Sequence, residues 1–179
     1  MSEENPDVPA QPAPANEDRI RTRSMTIDDL SEVFHIGEDI FTAEYSPALY
    51  RTWDEYEITT MFNSDNELCL VAESEDETIV GFALGTTVEK HHSAWKYGYL
   101  VWLGVRPEVQ KGKVGLKLFR EIKRRMKDQG VRIIIVDTDA ENDPAIRFFK
   151  KQGFGNIQKH VYMTLNLDPK RRRKKEKKS

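Results

Sequence analysis

Residues 105–115 read VRPEVQKGKVG. They stand between two segments of different period. Residues 99–105 are strand-like and apolar. Residues 113–129 place Val114, Leu116, Leu118, Phe119, Ile122 and Met126 at helical spacing, and Gly130 is suited to stop that helix. A basic, glycine-bearing turn from strand to helix suits an anion. The first backbone N–H groups of a helix lack intrahelical partners and carry the positive end of its dipole. Lys111 and Lys113 add charge, while Gly112 and Gly115 let backbone come close. The alternative reading is an ordinary solvated turn.

Working outward, residues 132–138 form a second apolar run, as expected of a central strand buried on both faces. Asn142-Asp143-Pro144 then opens a short helix that ends near Gly153-Phe154. Upstream, residues 20–23 read as a first strand, and Thr26 caps a helix over residues 27–38. A second helix is expected over residues 53–62. Residues 68–73 and 78–87 form a hairpin, residues 96–105 the next strand, and residues 160–167 a last, alternating one. Strands first and strand–helix–strand later predict an α/β (α+β) class with helices on both faces of a mixed, mainly antiparallel sheet.

These motifs resemble the GNAT superfamily of acyl-CoA-dependent N-acetyltransferases. The family's pyrophosphate loop, Q/R-x-x-G-x-G/A, is matched at Gln110 and Gly115, with Lys113 at the middle glycine position and Gly112 one residue earlier. Its later segment, N-x-x-A-x-x-F-Y-x-x-x-G-F, is matched at Asn142, Ala145, Phe148, Gly153 and Phe154, with Phe149 in place of tyrosine. The likeness spans residues 19–167. It implies two parallel strands, residues 99–105 and 132–138, that splay apart to admit the pantetheine of acetyl-CoA. Leu103, Gly104 and Val105 would offer backbone to that arm. Gln110, Lys111, Gly112, Lys113, Val114 and Gly115 would hold the pyrophosphate, and Asn142 and Phe149 would border the cofactor. Asn142 also reads as a helix cap, and Gly104 as a place where another backbone comes close.

The implied reaction moves an acetyl group from thioester to amine, which must be neutral to attack. Phe149 cannot protonate the leaving thiolate. Tyr99 lies at a position resembling the tyrosine of some protein N-terminal acetyltransferases, and Asp137 sits where those enzymes carry histidine. Tyr162 is a third catalytic candidate. Glu44, Tyr45 and Trp53 would line the acceptor entrance, where acidic groups favour a cationic amine; the alternative is that the aromatics pack helices onto the sheet. A protein or peptide amine (N-terminus or lysine) is the leading acceptor. A small-molecule amine such as a polyamine or antibiotic, and a non-catalytic acyl-CoA-binding tether, are the alternatives.

Composition bounds the rest. With 179 residues and 38% hydrophobic content, one domain over residues 19–168 is expected. Residues 1–18 carry a net −5 and four prolines, which predicts disorder. Residues 169–179 form a basic tail, with a net +7 over its last ten residues. It reads as a solvated tail, a nuclear import signal, or a contact for nucleic acid, ribosome or membrane surface. The 151 residues between the two ends then carry a net −4. No apolar run reaches the roughly 20 residues of a membrane span, and no basic-apolar leader is evident. The lone Cys69 rules out an internal disulfide and suits a cytoplasmic setting. No metal-ligand spacing or internal repeat is present. A homodimer is left open.

Overall fold

In a computed structural model of the chain, the structure describes residues 20–41, 52–89, 95–110, 113–159, Val161, Met163, Leu165 and Leu167. The chain divides into two compact units, Met1–Pro47 with Thr52–Asp137, and Ala48–Arg51 with Thr138–Ser179. The first holds strand β1 (Arg21–Ser24), helices α1 (Leu30–Ile40) and α2 (Glu55–Asp65), strands β2 (Cys69–Glu73), β3 (Ile79–Glu89) and β4 (Lys96–Val105), helix α3 (Val114–Asp128) and strand β5 (Val131–Val136). They form one five-stranded sheet in the order β1-β2-β3-β4-β5. All neighbours are antiparallel except β4 and β5, which are parallel.

Helices cover both faces of this sheet. On one face Val33 and Ile36 of α1 and Ile58 and Met61 of α2 pack with Val71, Phe82, Leu84 and Trp102. On the other, α3 buries Val114, Leu118, Phe119, Ile122 and Met126, with Leu116 off that row and half-buried. It lies close because Gly85 and Gly98 have no Cβ; one added there would meet Met126 atoms at 2.7 and 2.6 Å.

Arg23 fastens the start of the chain. Its guanidinium donates to both Asp29 oxygens, at 2.6 and 2.9 Å, and to Glu73 Oε2 at 2.6 Å. Asp29 also accepts from the Thr26 N–H at 2.7 Å, which ties the 3-10 turn Ile27–Asp29 ahead of α1. Both carboxylates are buried, 7% and 6% exposed, and Arg23 holds each below its ordinary pKa. A carboxylate with a depressed folded pKa lends stability above its unfolded value, 3.8 for Asp29, and withdraws it as pH falls further. Asp29→Asn should therefore cost roughly 1.5 kcal/mol at neutral pH. The Tm gap from the wild type should close as pH is lowered through the range below that value. A gap that stays constant down to acid pH would show that the charge of Asp29 contributes nothing.

Several expectations shift. The first helix opens with a 3-10 turn, and α2 starts at Glu55, because Asp54 rather than Trp53 caps it by accepting from the Glu57 N–H at 2.8 Å. Among the described residues β5 ends the sheet instead of standing at its centre, and Ile133 and Ile135 are 37% and 46% exposed. A continuous apolar run fixes neither the number of neighbours nor the faces that become covered. The strand also stops at Val136, so Asp137 follows it rather than belonging to it.

The second unit contributes α4 (Asp143–Lys151), capped by Asn142, whose Oδ1 accepts from the Ala145 N–H at 3.2 Å. Gly153, at φ +94°, ends it. The last strand expected over residues 160–167 lies partly outside the described residues. Val161, Met163, Leu165 and Leu167 are described, and none is in a strand.

Candidate functional site

The pairing of β4 with β5 runs from Lys96↔Val131 to Leu100↔Val136 and goes no further, although β4 continues to Val105. On its other side β4 carries a register shift. Leu84 pairs with Trp102 and Gly85 with Leu100, so Val101 is an extra residue opposite β3. Such a bulge bends its strand and sharpens the local twist. It also switches faces: Leu100 and Gly98 lie on the α3 side, whereas Trp102 and Gly104 lie under α1 and α2. Beyond Leu100 the pairing ends with β5 itself, at Val136, and β4 runs on past it to Val105; the point where the two part is the fork.

At the fork the Tyr99 hydroxyl donates to Asp137 Oδ1 at 2.5 Å, across 38 residues of sequence. Tyr99 is half-buried and Asp137 exposed. The pair therefore joins a proton donor to a carboxylate at a solvent-accessible point where the β4–β5 pairing ends. This arrangement can accept a proton at one end and release one at the other.

Leu103, Gly104 and Val105 lie on the forked length of β4. Gly104 is needed for a neighbouring ring rather than another backbone: a Cβ there would meet Phe82 Cε1 at 2.8 Å. At the end of the strand the Gln110 side-chain amide donates to the Val105 carbonyl at 3.1 Å, folding the turn back on β4. Arg106 anchors the same corner by donating to the Ile79 carbonyl at 2.8 Å and to Glu32 at 3.2 Å.

Lys113 stands at the N-cap of α3. No acidic residue occupies the first turn and no side chain caps it, so the positive end of the helix keeps its capacity for an anion. The Val114 side chain is buried, which leaves only its backbone for such a role. Gly115 is half-buried in the first turn, and Lys111 and Gly112 lie outside the described residues. These features suit a cofactor with an extended amide-bearing arm and a pyrophosphate: a length of β4 that runs past β5 for the arm, and a basic helix start without a side-chain cap for the phosphates.

Asn142 and Phe149 belong to the second unit. Asn142 caps α4, and the Phe149 ring sits 5.2 Å from Phe148 and 5.3 Å from Phe154. Glu44, Tyr45 and Tyr162 lie outside the described residues. Trp53 is half-buried in an aromatic group with Phe41, Phe82 and Trp102, its indole N–H donating to the Phe34 carbonyl at 2.9 Å. The Cys69 thiol is buried and pushed up to about 12 by desolvation, so it offers no thiolate. No group of three or more metal-binding side chains occurs among the described residues. None of their helices is long and apolar enough to cross a membrane.

A family model described as Acetyltransferase (GNAT) family matches residues 30–154. No curated protein matches the chain. Solved structures share its fold. A tetramutant of the BH1408 protein from Bacillus halodurans superposes with a TM-score of 0.70 at 19% identity, covering 81% of this chain and 99% of that one. The aminoglycoside acetyltransferase meta-AAC0020, from an uncultured soil metagenomic sample, gives 0.66 at 20%, covering 83% and 98%. A chain of the NatC complex bound to Gag peptide and CoA gives 0.64 at 18%, covering 78% and 87%.

Proposed function

We propose that this chain, which belongs to the GNAT acetyltransferase family, acetylates a primary amine of a protein or peptide, with acetyl-CoA as donor and Tyr99 and Asp137 as its proton-handling pair. The reading is carried by the 2.5 Å Tyr99–Asp137 hydrogen bond at the fork. The likeness of Tyr99 to the tyrosine of protein N-terminal acetyltransferases favours a polypeptide acceptor.

Bound acetyl-CoA supplies the acyl group as a thioester. The backbone of Leu103 to Val105 holds its amide-bearing arm, and the start of α3 with Lys113 holds its phosphates. An amine is protonated near neutral pH and sheds one proton to solvent before attack. Asp137 then takes the second proton released as the carbon–nitrogen bond forms. Tyr99 gives its hydroxyl proton to the sulfur as the carbon–sulfur bond breaks, and regains one from Asp137 through the hydrogen bond between them. One amine proton thus ends on the thiol, and the pair returns to its starting state. Phe149 takes no part in this proton transfer.

The test begins with binding. Acetyl-CoA at a hundredfold its Kd should stabilise the protein by about 2.7 kcal/mol, a Tm rise of roughly 5–11 °C for a chain of this size. Lys113→Gly should give a smaller or larger shift according to whether the lysine's charge or its bulk dominates at the phosphates. CoA release is then followed with peptides and with small amines. Release with peptides supports the proposal. Release with small amines alone moves the acceptor to that class, and no thermal shift in either protein removes the acetyl-CoA site.

A further inference from the structure

The charges of this chain are segregated. Residues 24–89 contain sixteen Asp or Glu and one basic residue, Arg51, a net −15 hidden within the mild balance of the whole. Six of these acidic residues lie on α1 and α2, which contain no Lys or Arg. Between the two helices runs an open groove of about 370 Å³, lined by Leu30, Phe34 and Ile58 together with Ser31, His35, Glu55 and Thr59. Two large side chains on the same stretch of chain are uncovered: Ile27, just before α1, is 70% exposed, and Tyr56 of α2 is 76% exposed. The carboxylates of Asp28, Asp39 and Glu55 are exposed and have no hydrogen-bond or ion-pair partner among the described residues.

Each feature alone is ordinary for a surface. Their coincidence on the sheet face opposite α3 is selective. The apolar floor and exposed aromatic supply contact area, while the carboxylates repel acidic surfaces and draw basic ones. We propose that the α1–α2 face is a docking surface for a basic polypeptide segment of another protein, one that sets apolar side chains in the groove and lysines or arginines over Asp28, Asp39 and Glu55. The surface does not depend on acyl transfer, so binding can succeed or fail whatever the reaction at the fork.

The probe is a short fluorescein-labelled peptide of alternating lysine and leucine, followed by anisotropy with the full chain, beside its glutamate-for-lysine counterpart. The lysine peptide should bind and the glutamate peptide should not. Combined Asp28→Asn, Asp39→Asn and Glu55→Gln should weaken binding roughly tenfold at low salt and little at high salt. Tyr56→Ala should weaken it roughly tenfold at any salt, and Thr59→Trp should obstruct the groove. Lys123→Ala on α3 should change nothing. All these positions are exposed, and unaltered Tm values would confirm that the variants fold. Affinity unaffected by the Tyr56 and Thr59 changes would overturn the proposal by reducing the effect to diffuse charge. It would also be overturned if a synthetic peptide of residues 170–179 bound more tightly than the lysine–leucine probe, since that would make the chain's own basic, leucine-free tail the preferred occupant.

Discussion

Asp137→Asn should lower kcat by roughly 10²–10⁴-fold, the range typical of a lost general acid or base, while the acetyl-CoA thermal shift and the acceptor KM should stay near wild type. Asparagine still accepts a hydrogen bond from Tyr99, so the fork keeps its geometry; what disappears is the capacity to take a proton. Tyr99→Phe should fall in the same range, because the other end of the same path is cut. The double variant should be little worse than either single one, since groups that act as a unit are not additive. A kcat within a few-fold of wild type in both single variants would show that the 2.5 Å contact only braces β4 against the end of β5.

Gly37→Ala is the structural counterpart, and two effects compete there. Glycine inside a helix is disfavoured by about 1 kcal/mol relative to alanine, so local propensity alone predicts a gain. Packing predicts a larger loss. A Cβ on Gly37 would lie 1.9 Å from Trp53 Cε2 and 2.2 Å from Cζ2. The indole cannot swing aside cheaply: its N–H is bonded to the Phe34 carbonyl, and its rings lie 5.1 Å from both Phe82 and Trp102. Overpacking of this kind costs about 3 kcal/mol, so the net change is a destabilisation of roughly 2 kcal/mol, or about 4–8 °C in Tm. Trp53→Phe in the same chain should recover part of the loss. An unchanged or higher Tm in Gly37→Ala would mean that propensity wins and that Trp53 is free to move. The same variants bear on Trp53 as an acceptor contact: an altered KM at unaltered Tm would give the indole a role beyond the core.

Much of the sequence reading concerned local pattern, and there it agrees with the structure. The strand, turn and helix over residues 96–128 follow from a change of apolar period, and the end of α3 from Gly130, whose φ is +83°. Boundaries moved by a few residues where a cap competed with an apolar neighbour, as Asp54 did with Trp53. The charge segregation over residues 24–89 was present in the letters, but the mild net −4 over residues 19–169 concealed it. Cofactor contacts at Lys111 and Gly112, and roles for Glu44, Tyr45 and Tyr162, concern residues outside those described.

Four features had no local signature. Val101 sits in the run Leu100-Val101-Trp102-Leu103, and nothing in those letters marks it as the extra residue of a bulge. Its placement follows from fitting Leu84 and Trp102 under α1 and α2 while Gly85 and Leu100 face α3. The proximity of Tyr99 to Asp137 depends on where β5 stops in register with β4. Trp53 settles in the core because Gly37 of α1 leaves room for it. The exposure of Ile133 and Ile135 depends on which neighbours β5 has. The sequence by itself determined the order and type of the elements, the basic turn and the family, because periodicity, capping and glycine placement act over a few consecutive residues. Tertiary structure alone decided the fork, the Tyr99–Asp137 contact and the occupants of the core, because these depend on register and packing between segments that are far apart in the chain.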